Sequence, residues 1–152
     1  MIPIEIEVEN FLAYRTPGTL RLEGVHIACL AGPNGAGKSS LLDAITWVLW
    51  GKARSNSPDE LVHQGMRTMQ VRLVFEHAGQ RYQALRQRKA GKQGASSLTL
   101  HAWDGAAEAW RDQSGARLGD TQKKIEGLLR LDYDTFINSA FLMQGRADEF
   151  TT

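Results

Sequence analysis

Eight consecutive residues carry the clearest chemistry in this chain: Gly32-Pro33-Asn34-Gly35-Ala36-Gly37-Lys38-Ser39. They fit the phosphate-loop pattern G-x-x-x-x-G-K-[ST] at every fixed position. The glycines let backbone N–H groups turn inward around phosphate oxygens with no Cβ in the way. A helix that starts at the end of the loop adds the partial positive charge of its N-terminus. Lys38 is then expected to reach the β- and γ-phosphates of a nucleoside triphosphate, and the Ser39 hydroxyl to ligate Mg2+.

Such a loop is positioned by a strand before it and a helix after it. The apolar run Val25-His26-Ile27-Ala28-Cys29-Leu30-Ala31 is expected as a buried strand, with Cys29 as a small apolar residue inside it. Ser40–Trp50 is expected as a helix, with Leu41, Ile45 and Val48 on one face and Trp47 and Trp50 in the core.

The whole chain has the length of about one domain, at 152 residues. Its 42% hydrophobic content is enough for a core, and a net charge of +1 argues neither for nor against a nucleic-acid partner. No apolar stretch approaches the ~20 residues needed to span a bilayer. Met1-Ile2-Pro3-Ile4-Glu5 alternates like a strand rather than opening a leader, so a cytoplasmic location is expected and no membrane partner. One cysteine excludes an internal disulfide, and His26, His63, His77 and His101 lack metal-ligand spacing.

Around the loop, the apolar period separates two kinds of structure. Ile2, Ile4, Ile6 and Val8 alternate with Glu5, Glu7 and Glu9, a strand with one wet face. Thr16-Pro17-Gly18 turns into a short strand with Leu20 and Leu22. Gly51 to Pro58 is a polar loop, after which Ser57 is expected to cap a helix that has Pro58 at its first position. Met69, Val71, Leu73 and Phe75 then alternate as a strand, and His77-Ala78-Gly79 turns the chain into a second strand, Arg81–Arg86. After the turn at Lys89–Gly94, Leu98, Leu100 and Ala102 mark a third strand, closed by Asp104-Gly105. This is an antiparallel meander. Its basic residues Arg81, Arg86, Arg88, Lys89 and Lys92 are read as a charged hairpin edge in preference to a DNA contact. Asp120 or Thr121 is expected to cap a helix carrying Ile125, Leu128 and Leu129, and Asp134 a last short helix. No role is assigned to Trp103 and Trp110.

The end of the chain, Phe136-Ile137-Asn138-Ser139-Ala140-Phe141-Leu142-Met143-Gln144-Gly145-Arg146-Ala147-Asp148-Glu149-Phe150, resembles the Q-loop region of the SbcC-type DNA-repair ATPases, bacterial relatives of the Rad-fifty family. The start, Asn10-Phe11 followed by Tyr14-Arg15, and the extended phosphate loop Asn34–Ile45 resemble the same family. The resemblance covers essentially the whole chain and is weakest in the meander. It implies an α/β fold, a P-loop NTPase of the ABC-ATPase head type, with an N-terminal lobe in which the meander lies beside the P-loop strand–helix core. Residues 1–152 would be the N-terminal half of a split head, with a coiled coil beginning near 147–152. The matching C-terminal half would carry the signature motif, the Walker B carboxylates and a switch histidine. Asp148-Glu149 follows Gly145-Arg146-Ala147 rather than an apolar run and is rejected as Walker B, and no Leu-Ser-Gly-Gly occurs.

Roles follow from the resemblance residue by residue. The backbone from Asn34 through Gly35, Ala36, Gly37, Lys38, Ser39 and Ser40 would cradle the phosphates of ATP. Ser39 would ligate Mg2+. Gln144 would complete the metal shell or hold the attacking water, since its amide offers both donor and acceptor. Asn10 to Arg15 would lie beside base and ribose; relatives with an arginine directly after Asn-Phe differ from this chain, which has Leu12 there and Arg15 three residues later. His63 falls where some relatives carry a basic residue near the nucleotide. The resemblance also implies a second copy in a head-to-head dimer around two ATP molecules, an SbcD-type nuclease, DNA ends as the target and a nucleoid-associated location. Binding of ATP·Mg2+ with poor hydrolysis by the chain alone is the expected behaviour. The alternative is a chromosome-scaffolding or recombination ATPase head of the SMC or RecN kind. An ATPase of a membrane transporter and a small-molecule kinase fit less well, since no signature motif follows the Q-loop and the meander offers no acceptor site.

Overall fold

Alternating apolar residues produce the sheet, and the described part of the chain is built on it. The structure is a computed structural model that describes residues 1–33 and 35–140. Strands β1 (Ile2–Glu9), β2 (Gly18–Arg21), β3 (Thr68–His77), β4 (Gln80–Lys89), β5 (Ala95–Asp104) and β6 (Ala109–Asp112) form one six-stranded sheet. Its order is β2-β1-β3-β4-β5-β6, and every pairing is antiparallel. The β3–β4 register is pinned by a two-residue turn in which Ala78 (φ 50°) and Gly79 (φ 78°) are both left-handed, the conformation a tight hairpin demands.

One face of the sheet is apolar. Ile6, Val8, Met69, Val71, Leu73, Phe75, Ala84, Leu98 and Leu100 are buried there, the alternation expected from the sequence. Helix α1 (Lys38–Trp50) packs across β3 and β4, and α2 (Leu118–Leu129) covers β5 and touches α1. Ala44, Trp47, Val48 and Leu49 are all at most 2% exposed, so α1 is enclosed on most sides rather than on one stripe. The opposite face is wet and charged: Arg72 pairs with both Glu5 and Glu7. That guanidinium, and after it Arg21, holds the Glu5 carboxyl below its usual range against the opposing effect of burial.

Several local expectations are corrected. The expected strand Val25–Ala31 does not form, and Val25, Ile27 and Leu30 are 45%, 91% and 42% exposed. A strand needs a hydrogen-bonded neighbour for its N–H and C=O groups, and none of the six described strands pairs with this run. Cys29 is consequently exposed, not buried. Ser57 precedes a single 3-10 turn, Pro58–Leu61, and makes no side-chain cap. Asp120 sits inside the first turn of α2, where its carboxylate accepts the Arg117 N–H at 3.1 Å. Asp132, not Asp134, caps α3 (Tyr133–Ala140), accepting the Thr135 N–H at 2.7 Å. β6 is unanticipated; it brings Trp110 against Trp103 edge-to-face, centroids 5.3 Å apart. The basic cluster of the meander is dispersed: Arg81 pairs with Glu23, Arg88 with Asp59, and Arg86 is buried at 3% exposure.

Candidate functional site

The phosphate loop is held in shape by two left-handed glycines and a tyrosine. Gly35 and Gly37 have φ of 84° and 90°, a region that L-residues with a Cβ avoid. A Cβ on Gly37 would also lie 3.2 Å from the Tyr14 ring and 3.3 Å from the Ala13 Cβ. Tyr14 donates its hydroxyl to the Gly37 carbonyl at 3.1 Å. Its backbone exchanges hydrogen bonds of 2.8 Å with Phe11, which closes the segment Phe11–Tyr14 into a tight strap. Phe11 is fully buried against Trp47, centroids 5.6 Å apart. The strap is therefore nailed to the core by one aromatic residue and grips the loop with another.

Gly37 is the residue before α1, and no side-chain cap or first-turn acid occupies the helix start. That end of α1 opens on a cleft of about 750 Å3 lined by Leu12, Ala13, Gly35, Gly37, Lys38, Ser39, Ser40, Arg54, Glu60, Val62 and Gln64. Lys38 donates from Nζ to the Gly32 carbonyl and, at 2.8 Å, to the Pro33 carbonyl. These are loop carbonyls satisfying an ammonium that an anion would satisfy better. The donor set fits a polyphosphate: glycine-turned backbone, a bare helix N-terminus, an ammonium and two serine hydroxyls all border one cleft.

The sequence candidates divide accordingly. Gly35, Gly37, Lys38, Ser39 and Ser40 line the cleft together. Ala36 is exposed in the loop, its N–H donating to the Pro33 carbonyl at 3.2 Å. Arg15 is exposed beyond the strap and is not in the cleft wall. His63 stands behind the strap: its Nδ1 is 2.6 Å from the Leu12 carbonyl, and its N–H donates to the Asn10 carbonyl at 2.8 Å. Val62 and Gln64 on either side of it line the cleft, so His63 supports the wall through Leu12. Asn34 and Gln144 lie outside the described residues, as does the expected coiled-coil start.

Sequence reasoning misses two contributors. Tyr14 falls in the segment Asn10 to Arg15 that the resemblance places beside base and ribose, but its hold on the Gly37 carbonyl is not foreseen. Arg54 reads as one charge in a polar loop, although Asp43, four residues after Ser39 on the same helix face, is the partner that fixes it.

Residues 5–152, nearly the whole chain and the entire site, match the AAA domain family. The chain belongs to this family. Membership implies nucleotide binding, in accord with the cleft at the phosphate loop. Among relatives, the SbcC component of the nuclease SbcCD from Deinococcus radiodurans is 36% identical over 149 residues, covering 96% of this chain and 16% of that protein. The DNA double-strand break repair Rad50 ATPase of Thermoplasma acidophilum is 31% identical over 149 residues, covering 98% of this chain and 16% of that one. The chain thus spans about 16% of the length of these curated relatives. The SMC head domain from Thermotoga maritima shares the fold, with a TM-score of 0.52 at 21% identity over 82% of this chain and 42% of that one. A RecF–ATP structure gives the same TM-score at 25% identity, over 65% of this chain and 26% of that one. The mixed α/β P-loop fold expected from the sequence is the fold of these neighbours, and the resemblance to SbcC and Rad50 proteins holds over nearly the entire chain.

Proposed function

We propose that this chain is the ATP-binding half of a DNA double-strand-break repair ATPase head. The observation that carries the reading is the cleft at the start of α1, where Lys38, Ser39 and the glycine-turned backbone converge, in a chain related throughout to SbcC and Rad50 proteins. Gly35, Gly37 and the backbone through Ser40 hold the phosphates. Lys38 leaves its loop carbonyls for the β- and γ-phosphate oxygens. Ser39 and Gln144 are the ligands offered to Mg2+, which supplies charge neutralisation at the terminal phosphates. Arg15, beyond the strap, is the residue closest in sequence to the basic contact of relatives, and His63 acts by fixing Leu12.

The remaining partners follow from the same reading. Residues 1–152 form the N-terminal half of a split head, and the coiled coil begins near 147–152. The C-terminal half supplies the catalytic carboxylate and signature motif, and a second copy closes the dimer around two ATP molecules. An SbcD-type nuclease and DNA ends are the targets of nucleotide control, in the cytoplasm and at the nucleoid. Among the described residues, no helix is long and apolar enough to cross a membrane. The sequence relatives favour this reading over an SMC- or RecN-like scaffold, whose support is likeness of fold.

The exposed run Val25–Ala31 supports a missing half. Leu30, with Ile6, Val8, Tyr14, Leu20 and Leu41, lines an apolar groove of about 280 Å3 beside β1 and β2. Strand pairing from the C-terminal half would cover it. Cys29, inside this run, reports the docking: its thiol is expected to alkylate readily in the chain alone and about ten-fold or more slowly once the C-terminal half of the parent protein is added. Equal rates with and without that half would contradict the proposed docking.

A further inference from the structure

We infer that Asp59 is a positioning residue for the nucleotide cleft, holding one of its walls from outside through an ion pair with Arg88 of the β4–β5 hairpin. The inference rests on the nucleotide-binding reading above and extends it to a pair that does not border the cleft. The wall in question is the segment 60–64. Glu60, Val62 and Gln64 border the cleft, and the residues alternating with them are anchored behind it. Leu61 is buried in the core at 2% exposure, and its carbonyl accepts the Leu12 N–H at 2.8 Å. His63 is tied to the Leu12 and Asn10 carbonyls. Asp59 is the third anchor, at the head of the wall. Its Oδ1 accepts from Nε and Nη2 of Arg88 at 2.9 and 2.8 Å, and its Oδ2 accepts the Gly91 N–H at 3.2 Å.

What separates this pair from an ordinary surface ion pair is where its two ends are attached. Pro58–Leu61 is a single 3-10 turn with no side-chain cap, too short to hold its own shape. Whatever fixes that turn also fixes the wall that follows it. Arg88 is held by the sheet and by the hairpin. All three of its guanidinium nitrogens are engaged, Nη1 donating to the Ser96 hydroxyl at 3.3 Å, and its side chain is 18% exposed. A Cβ on Gly94 would lie 2.7 Å from Nη2, so the guanidinium is seated against the hairpin turn. Arg88, and after it the Gly91 N–H, holds the Asp59 carboxyl below its usual range, so the anchor stays ionised at neutral pH. A planar guanidinium fixed in this way sets direction as well as distance, which a lysine does not reproduce. The meander thereby takes part in nucleotide binding without touching the nucleotide.

The test titrates the Mg2+ complex of a fluorescent ATP analogue against the wild-type chain, Asp59→Asn, Arg88→Gln, Arg88→Lys and the double variant Asp59→Asn/Arg88→Gln. A melt and amide hydrogen exchange of each free protein accompany the titrations. Asp59→Asn and Arg88→Gln are each expected to raise the Kd about five-fold. The melt of Asp59→Asn should fall by less than about 3 °C, since its side chain is 40% exposed and an ion pair there adds little to global stability. Exchange should quicken in the stretch 59–64 and not in the sheet. Arg88→Lys, which keeps the charge and loses the fork, should recover part of the affinity. The double variant should bind no worse than the weaker-binding single variant, because both substitutions break one contact. Additive losses, a Kd within about two-fold of wild type for both single variants, or a loss matched by faster exchange across the whole sheet overturns the inference. No binding by the wild-type chain would overturn the nucleotide reading, and this inference with it.

Discussion

Lys38→Ala is expected to weaken binding of ATP·Mg2+ about 30- to 100-fold, ~2–3 kcal/mol, with the thermal melt nearly unmoved. The asymmetry comes from where the ammonium sits. Nζ is held by the Gly32 and Pro33 carbonyls, both in an exposed stretch of loop where water can replace it. Removing it costs the free fold little, because no buried group loses a partner. Once phosphates enter the cleft, the same ammonium becomes a charge-assisted donor close to a helix N-terminus, in an environment drier than bulk water. Lys38→Arg should fall between, since the charge remains but the fork does not fit a cradle sized for a point charge. Titration of a fluorescent ATP analogue against each variant, with a melt of each free protein, separates the two effects. Binding by Lys38→Ala within about three-fold of wild type would mean that the cleft at α1 is not the nucleotide site.

The second large effect lies far from that cleft and falls on stability. Arg86 projects from β4 beneath the C-terminal end of α1, donating from Nε to the Val48 carbonyl at 3.2 Å and from Nη to the Gln122 side-chain oxygen. Gln122 in turn donates to the Leu49 carbonyl at 2.8 Å and to Glu126 at 3.1 Å. The guanidinium lies 5.8 Å from the Trp47 ring centre, and a Cβ on Gly51 would come within 3.0 Å of it. Burial pushes the Arg86 pKa down to about 10, with Glu126 pulling the other way, so the group stays ionised at neutral pH at a cost that its partners offset. A cation at a helix C-terminus is favourable, and here one side chain ties the meander, α1 and α2 together. Arg86→Ala removes that charge, leaves the Val48 carbonyl and Gln122 short of donors, and opens a cavity. A loss of ~3 kcal/mol is expected, a melting drop of roughly 6–12 °C for a domain of this size. Arg86→Met, which keeps the volume, should lose less. Arg111→Ala, at an exposed pair with Asp104, should leave the melt where it is. A wild-type melt for Arg86→Ala would mean that this buried node does not hold the layers together.

These two residues also mark what can and cannot be read from the chain. Lys38 is legible because its spacing to Gly32 and Gly37 is dictated by a ligand, and the ligand's geometry is known in advance. Strands β1, β3 and β5 are legible because one parity is apolar through the middle of each, as Ile4, Ile6 and Val8, Val71, Leu73 and Phe75, and Leu98, Leu100 and Ala102 show. Arg86 is not, because β4 carries apolar residues at both parities: Ala84 faces in and Leu85 faces out, so alternation does not say which way Arg86 points. Only the register with β3 decides it, pairing Arg86 with the inward Val71. Arg54 escapes for a related reason. Its neighbours in sequence are polar, and its partner Asp43 is eleven residues away on a different element. The run Val25–Ala31 is the opposite case. Its composition is that of a buried strand, yet burial depends on neighbours that the described sheet does not contain. β6 escapes because Ala109–Asp112 has four residues and a single large apolar side chain, too short for a period to show. The caps expected at Asp120 or Thr121 and at Asp134 stand instead at Arg117 and Asp132, a displacement that cap chemistry alone does not resolve when several polar residues lie in one turn.

The measurement that most directly tests the central claim is ATP·Mg2+ binding and turnover by this chain, with and without the C-terminal half of its parent protein added in trans. The split-head account predicts binding by the chain alone, negligible turnover alone, and turnover that appears on mixing and is lost in Gln144→Ala. Sustained hydrolysis by the pure chain would contradict it, because the catalytic carboxylate would then have to be among these residues.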